Sequence, residues 1–123
     1  MSSLERSLHG SPLVLALDEE RAEAERHGLH EARGRTARTL VKDDALRVTL
    51  ITLAPGGELR EHTAPGPITV QPLKGRIRFT VGDAEHDLGP DDFLALQAKK
   101  PHSVTSEHGG TFLLTVVRAG SER

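Results

Sequence analysis

From residue 34 onward the chain is a series of short β-forming runs cut by turn residues, and this pattern limits the folds open to it. The runs, rich in Val, Ile, Leu and Thr, fall at 35–42, 46–53, 68–73, 76–81, 84–88, 93–96, 102–106 and 111–117. Between them stand Asp43-Asp44, Ala54-Pro55-Gly56-Gly57, Lys74-Gly75, Gly82-Asp83, Gly89-Pro90-Asp91-Asp92, Lys99-Lys100-Pro101 and His108-Gly109-Gly110. Gly, Pro and Asp supply the backbone angles of tight turns and cannot extend a strand or helix through those points. Ile77, Phe79 and Val81 alternate with Arg76, Arg78 and Thr80, the period of a strand with one buried face. Eight such strands predict an all-β fold, two sheets closed into a jelly-roll barrel with a concave interior.

The first 33 residues read differently. The opening ten or so are expected to form a loose arm. Residues 12–17 are an apolar run, expected as a strand that adds to a sheet edge or to a partner subunit. Asp18 reads as an N-cap, with Glu19 and Glu20 in the first helical turn, His27 in the last turn and Gly28 just past it. Within this short helix only Ala22 and Ala24 are apolar, so it is expected to lie on the barrel or a partner subunit with most of its surface in water. The predicted organisation is an arm and helix over 1–33, a barrel over 34–118 and a tail over 119–123.

Composition removes several function classes. A length of 123 residues makes one domain, with room for a core but not for a separate catalytic lobe. The formal charge of −2 offers no field for nucleic acid. No apolar run approaches a membrane span, and the N-terminus has no basic region followed by an apolar stretch, so a cytoplasmic protein without a signal peptide is expected. The absence of cysteine removes disulfides and thiolate metal sites. With no Trp or Tyr, and only Phe79, Phe93 and Phe112, stacking platforms for sugars or bases are scarce.

Two histidines stand where a barrel site would be built. His62 follows the Pro55-Gly56-Gly57 turn, and His102 follows Pro101 at the start of a strand. Gly56, His62 and Gly75 keep the spacing of a Gly, five residues, His-x-His, three or four residues, Glu, six residues, Gly motif, with Ala64 at the second His and Ile68 at the Glu. In a second motif Pro101-His102 is kept. Asp91-Asp92 stands for Gly-Asp, Gln97 for Pro, Lys99 for Gly and Ser106 for Asn. With these motifs and the strand pattern, residues 35–117 resemble the cupin superfamily, specifically its small single-domain members.

The resemblance implies a cupin jelly-roll β-barrel, commonly dimeric, with residues 13–17 the candidate contact in a homodimer. In metal-binding cupins three His and one Glu hold Fe, Mn, Ni, Cu or Zn. Imidazole and carboxylate suit such ions and leave positions open for water or substrate. Here His62 and His102 occupy two of those positions, while Ala64 and Ile68 carry no donor. Gln71 is the candidate substitute ligand. Its offset of three from Ile68 points it to the other face unless Pro72 marks a bulge. The leading reading is therefore a binding module that holds a small organic ligand. His62 and His102 are its polar anchors, Ala64 and Ile68 widen and dry the pocket, and Val70, Phe79 and Val104 complete the wall. A metal-dependent oxygenase or isomerase using His62, His102 and Gln71 is the alternative, and a structural or interaction protein a second one. No catalytic residue is assigned.

The remaining polar residues have plainer readings. His9, His27, His30, His86 and His108 form no compact ligand spacing. Arg33, Arg35, Arg38 and Lys42 make either an anion-binding rim or, as favoured, a solvated edge strand. Arg76 and Arg78 are expected to point outward. Ser103 adjoins His102 but faces the opposite way on a strand, so the two form no dyad.

Overall fold

The computed structural model describes residues 8, 10, 12–28 and 34–118. One helix, α1 (Leu17–Gly28), precedes nine strands: β1 (Arg35–Lys42), β2 (Leu46–Leu53), β3 (Glu58–His62), β4 (Ile68–Gly75), β5 (Ile77–Val81), β6 (Ala84–Leu88), β7 (Leu94–Leu96), β8 (His102–Thr105) and β9 (Gly110–Val117). They form a five-stranded sheet ordered β1-β2-β9-β4-β7 and a four-stranded sheet ordered β3-β8-β5-β6. Every pairing is antiparallel. The result is the expected jelly roll.

Two cores result from the alternation of side chains across the larger sheet. Ile51, Leu53, Ile68, Val70 and Phe112 face Ile77, Phe79 and Val104 of the smaller sheet and form the barrel core. On the opposite face Leu40 and Leu50 pack against Ala24 of α1, with Leu15, Val48 and Leu113 at the margin. Leu40 faces the helix with Arg38 by ordinary alternation, and a bulge between Thr39 and Val41 brings Val41 opposite Val48 at the same core. The helix is fastened at its polar edges by Glu20 Oε1 to Arg38 Nε at 2.7 Å and Glu25 to Lys74 at 3.5 Å. Gly75 turns β4 into β5 at φ +74°, and a Cβ there would meet the Gly109 carbonyl, so both the angle and the space require glycine.

The structure corrects the sequence reading at four points. The segment that forms β3 is not among the expected runs; Leu59 is its only aliphatic residue, and its strand form comes from pairing with β8. Residues 12–16 form no strand. Val14 is 86% exposed, while Leu15 packs against the helix-side core. The helix also begins earlier than Asp18. The Ala16 carbonyl accepts the first N–H groups, and Asp18 sits inside the first turn with its carboxylate on the Glu19 N–H. Phe93 precedes β7 and is 63% exposed. The early arm with His9, the segment holding His30 and Arg33, and the tail from 119 lie outside the described residues.

Candidate functional site

The mouth of the barrel is where β3, β5 and β8 end on one sheet and β2, β4 and β9 on the other. His62 pairs with His102, and Val81 pairs with His102 on the other side, so these three share one rung and one face. His62 reaches that face through a bulge. Leu59 pairs with Val104 and His62 with His102, so three residues of β3 span two of β8. An offset of three would put Leu59 and His62 on opposite faces of a regular strand, and the extra residue at Arg60-Glu61 restores them to one.

The two imidazoles touch edge to face, with centroids 4.4 Å apart at 62°. His102 also stacks on Phe79 at 5.2 Å and 14°. His102 is buried at 3% exposure, whereas His62 is exposed at the rim. Each ring is oriented by the backbone two residues upstream. His102 Nδ1 lies 2.9 Å from the Lys100 carbonyl oxygen and His62 Nδ1 2.8 Å from that of Arg60. A carbonyl oxygen only accepts, so Nδ1 carries the proton in both rings, and in the neutral form each Nε2 presents a lone pair. Neither Nε2 is hydrogen-bonded to any described residue. Burial lowers the His102 pKa from its ordinary 6.5. The Lys100 carbonyl raises it and the His62 charge lowers it, and burial is the largest of the three influences. His102 is therefore a neutral acceptor at pH 7.

The other predicted site residues fall into two groups. Ala64 is half-buried against the barrel core, and its carbonyl takes the Lys99 N–H at 3.0 Å. Ile68, Val70, Phe79 and Val104 are exposed by 3%, 0%, 1% and 2%. Side chains so completely covered leave no water-sized space beside them, so Ile68 fills the barrel where a widened cavity was expected. Gln71 corrects the ligand set. Its neighbours Val70 and Pro72 are buried, Gln71 itself is exposed, and it faces away from the interior. The irregularity of β4 lies between Pro72 and Lys74, too late to turn it inward.

The donor set does not fit a resident divalent metal. Among the described residues no three His, Cys, Asp or Glu side chains converge, and carbon occupies positions 64 and 68. Two imidazoles with parallel roles remain, each with Nδ1 on a backbone carbonyl and Nε2 left to accept a hydrogen bond from a bound molecule.

One mouth residue escaped the sequence reading. Arg47 lies on β2 with the parity of Ile51 and Leu53, hence on the barrel face, in register with Val116 and through it with Ile68. Its signal was that parity, obscured because an arginine at a strand end normally reads as solvated. Arg76 and Arg78 do point outward, toward Asp87 and Glu85 at 3.4 and 4.0 Å.

Comparison with known proteins agrees with this architecture. The family model for the cupin domain matches residues 49–118, and the chain belongs to that family. Among solved structures it is similar to a conserved protein of unknown function (SPY1581) from Streptococcus pyogenes, with 26% identity over 98% of each chain and a TM-score of 0.72. It is also similar to a cupin superfamily protein from Desulfitobacterium hafniense, with 24% identity over 96% of this chain and 100% of that one, TM-score 0.69. TT1209 from Thermus thermophilus has the same fold at 20% identity, over 88% of this chain and 100% of that one, TM-score 0.69. No curated protein matches the sequence.

Proposed function

We propose that this cupin domain is a binding module for a small organic ligand seated at the barrel mouth, with His62 and His102 as its polar anchors. The supporting observation is the matched state of the two rings. Each spends its Nδ1 proton on a backbone carbonyl and keeps its Nε2 free, and the rings are in contact. Two adjacent acceptors of fixed direction suit a ligand hydroxyl or N–H group. Because Ile68 and Phe79 are buried, the proposed seat of the ligand is the rim above them, not the depth of the barrel. No proton transfer or redox step is assigned to the pair.

The test is a screen of small hydroxylated and amide-bearing compounds by two-dimensional NMR on untagged protein. Hits are expected to move the ring resonances of His62 and His102 together, and to bind about tenfold more weakly to His62→Ala, as loss of one hydrogen bond implies. Stoichiometric Fe, Mn, Ni, Cu or Zn in the purified protein, lost in His62→Ala, would sink the reading.

A further inference from the structure

We propose that the ligand is an anion, a small hydroxycarboxylate whose acid group is held by Arg47; this rests on the binding reading above and specifies its ligand class. The starting point is an arginine in an unusual state. Arg47 Nε is buried and has no hydrogen-bond partner, and no carboxylate among the described residues pairs with the guanidinium. A guanidinium stays charged at all working pH values, so it cannot relieve burial by losing a proton. The side chain as a whole is half-buried, so its charge stands at the barrel's edge without a counter-ion among the described residues and within reach of one from solution.

Its place in the fold says which ligand. Leu50 and Val48 face the helix-side core, while Leu53 and Ile51 face the barrel, and Arg47 continues that second row to the mouth. The rung across the larger sheet is Arg47, Val116, Ile68 and Leu96. The short turns at the other end of the barrel join β2 to β3 through residues 54–57 and β8 to β9 through residues 106–109. They set β2 across from β3 and β9 across from β8. Arg47 thus ends the strand opposite the one that carries His62, at the same end of the barrel.

The chemistry of the three groups is complementary. A guanidinium fork takes a carboxylate with two parallel N–H bonds. With Nδ1 of each ring on a backbone carbonyl, an Nε2 lone pair accepts from a hydroxyl and disfavours a carboxylate. A molecule that satisfies all three carries its negative group toward β2 and its hydroxyl toward β3 and β8. A neutral ligand would leave Arg47 unpaired, and a ligand with no donor would leave both Nε2 atoms unused.

Matched probes separate the parts of this assignment. Lactate and malate are compared with lactamide and malamide by NMR titration on the full chain, in wild type, Arg47→Gln and His62→Ala. The acids are expected to bind about tenfold tighter than the amides, the return on a charge-assisted pair. Arg47→Gln is expected to abolish that preference while leaving amide binding unchanged. His62→Ala weakens acids and amides alike. Amides binding as well as acids, or unchanged acid affinity in Arg47→Gln, overturns the carboxylate assignment and leaves the binding reading standing. Probes that bind without moving either histidine ring overturn both. A second readout needs no ligand. Arg47→Met removes an unpaired charge, so its ligand-free Tm is expected to match or exceed that of wild type. A clear drop in Tm would make Arg47 a structural residue and overturn the proposal.

Discussion

His102 carries two burdens that its neighbours make compatible. It fills the mouth of the core, stacked on Phe79, and it keeps one ring nitrogen for a partner. Burial is what lowers its pKa, so the folded chain takes up this proton less readily than the unfolded chain, which does so near 6.5. Above that value the ring is neutral in both states and costs nothing. As the pH falls through 6.5 toward the lowered folded value, the unfolded state binds the extra proton first and stability is lost. The expected outcome is a Tm that declines on acidification from just above neutrality, with a shallower decline in His102→Phe, whose ring keeps the stack and cannot titrate. Above neutral pH the swap adds ring volume and removes the bond to the Lys100 carbonyl, a pH-independent cost of about 1–3 kcal/mol. Thermal melts of both proteins across that range provide the check, and parallel curves would exclude His102 as the source.

At the scale of elements, pairing decides what local pattern leaves open. β5 was legible because Ile77, Phe79 and Val81 face the barrel while Arg76 and Arg78 face water, an alternation one strand displays alone. β3 was not, because Glu58, Arg60 and Glu61 surround a single leucine and only β8 makes the segment a strand. The positions of His62 and His102 in the site were legible from motif spacing, but the bulge that brings them onto one face was not. The reverse happened at Pro72, where a bulge suggested by the proline falls one step too late to help Gln71. The helix gives the element-scale prediction. α1 meets the larger sheet through one small buried residue, Ala24 at 5% exposure, against Leu40 and Leu50. Ala24→Glu overfills that contact and buries a charge, for a loss of about 1–3 kcal/mol. Because the barrel core lies on the other face of the sheet, helix amides are expected to lose hydrogen-exchange protection while β4, β5 and β8 keep theirs. Equal loss in helix and barrel would show that the two cores are one cooperative unit.

At the scale of the whole molecule, the chain keeps the cupin fold but carries Ala64 and Ile68 at two of the four donor positions that the family resemblance implies. Ile68, at 3% exposure, supplies apolar contact where a carboxylate ligand would need a cation beside it. Function here lies in the site and not in the fold that carries it. The substitution can be reversed. Ala64→His with Ile68→Glu rebuilds three imidazoles and a carboxylate around the same mouth. Without metal the double variant should be less stable than the parent, since the new carboxylate is buried and unpaired. Added Zn²⁺ or Ni²⁺ should restore it, with about 2.7 kcal/mol gained when free metal reaches roughly a hundred times Kd. The parent, with only His62 and His102 to offer, should show no rise in Tm at equimolar metal. Melts of both proteins with and without metal, alongside metal analysis after dialysis, provide the test. A parent that gains several degrees from equimolar metal would mean that the two imidazoles recruit further donors, and that the replacements at 64 and 68 altered the metal site without ending it.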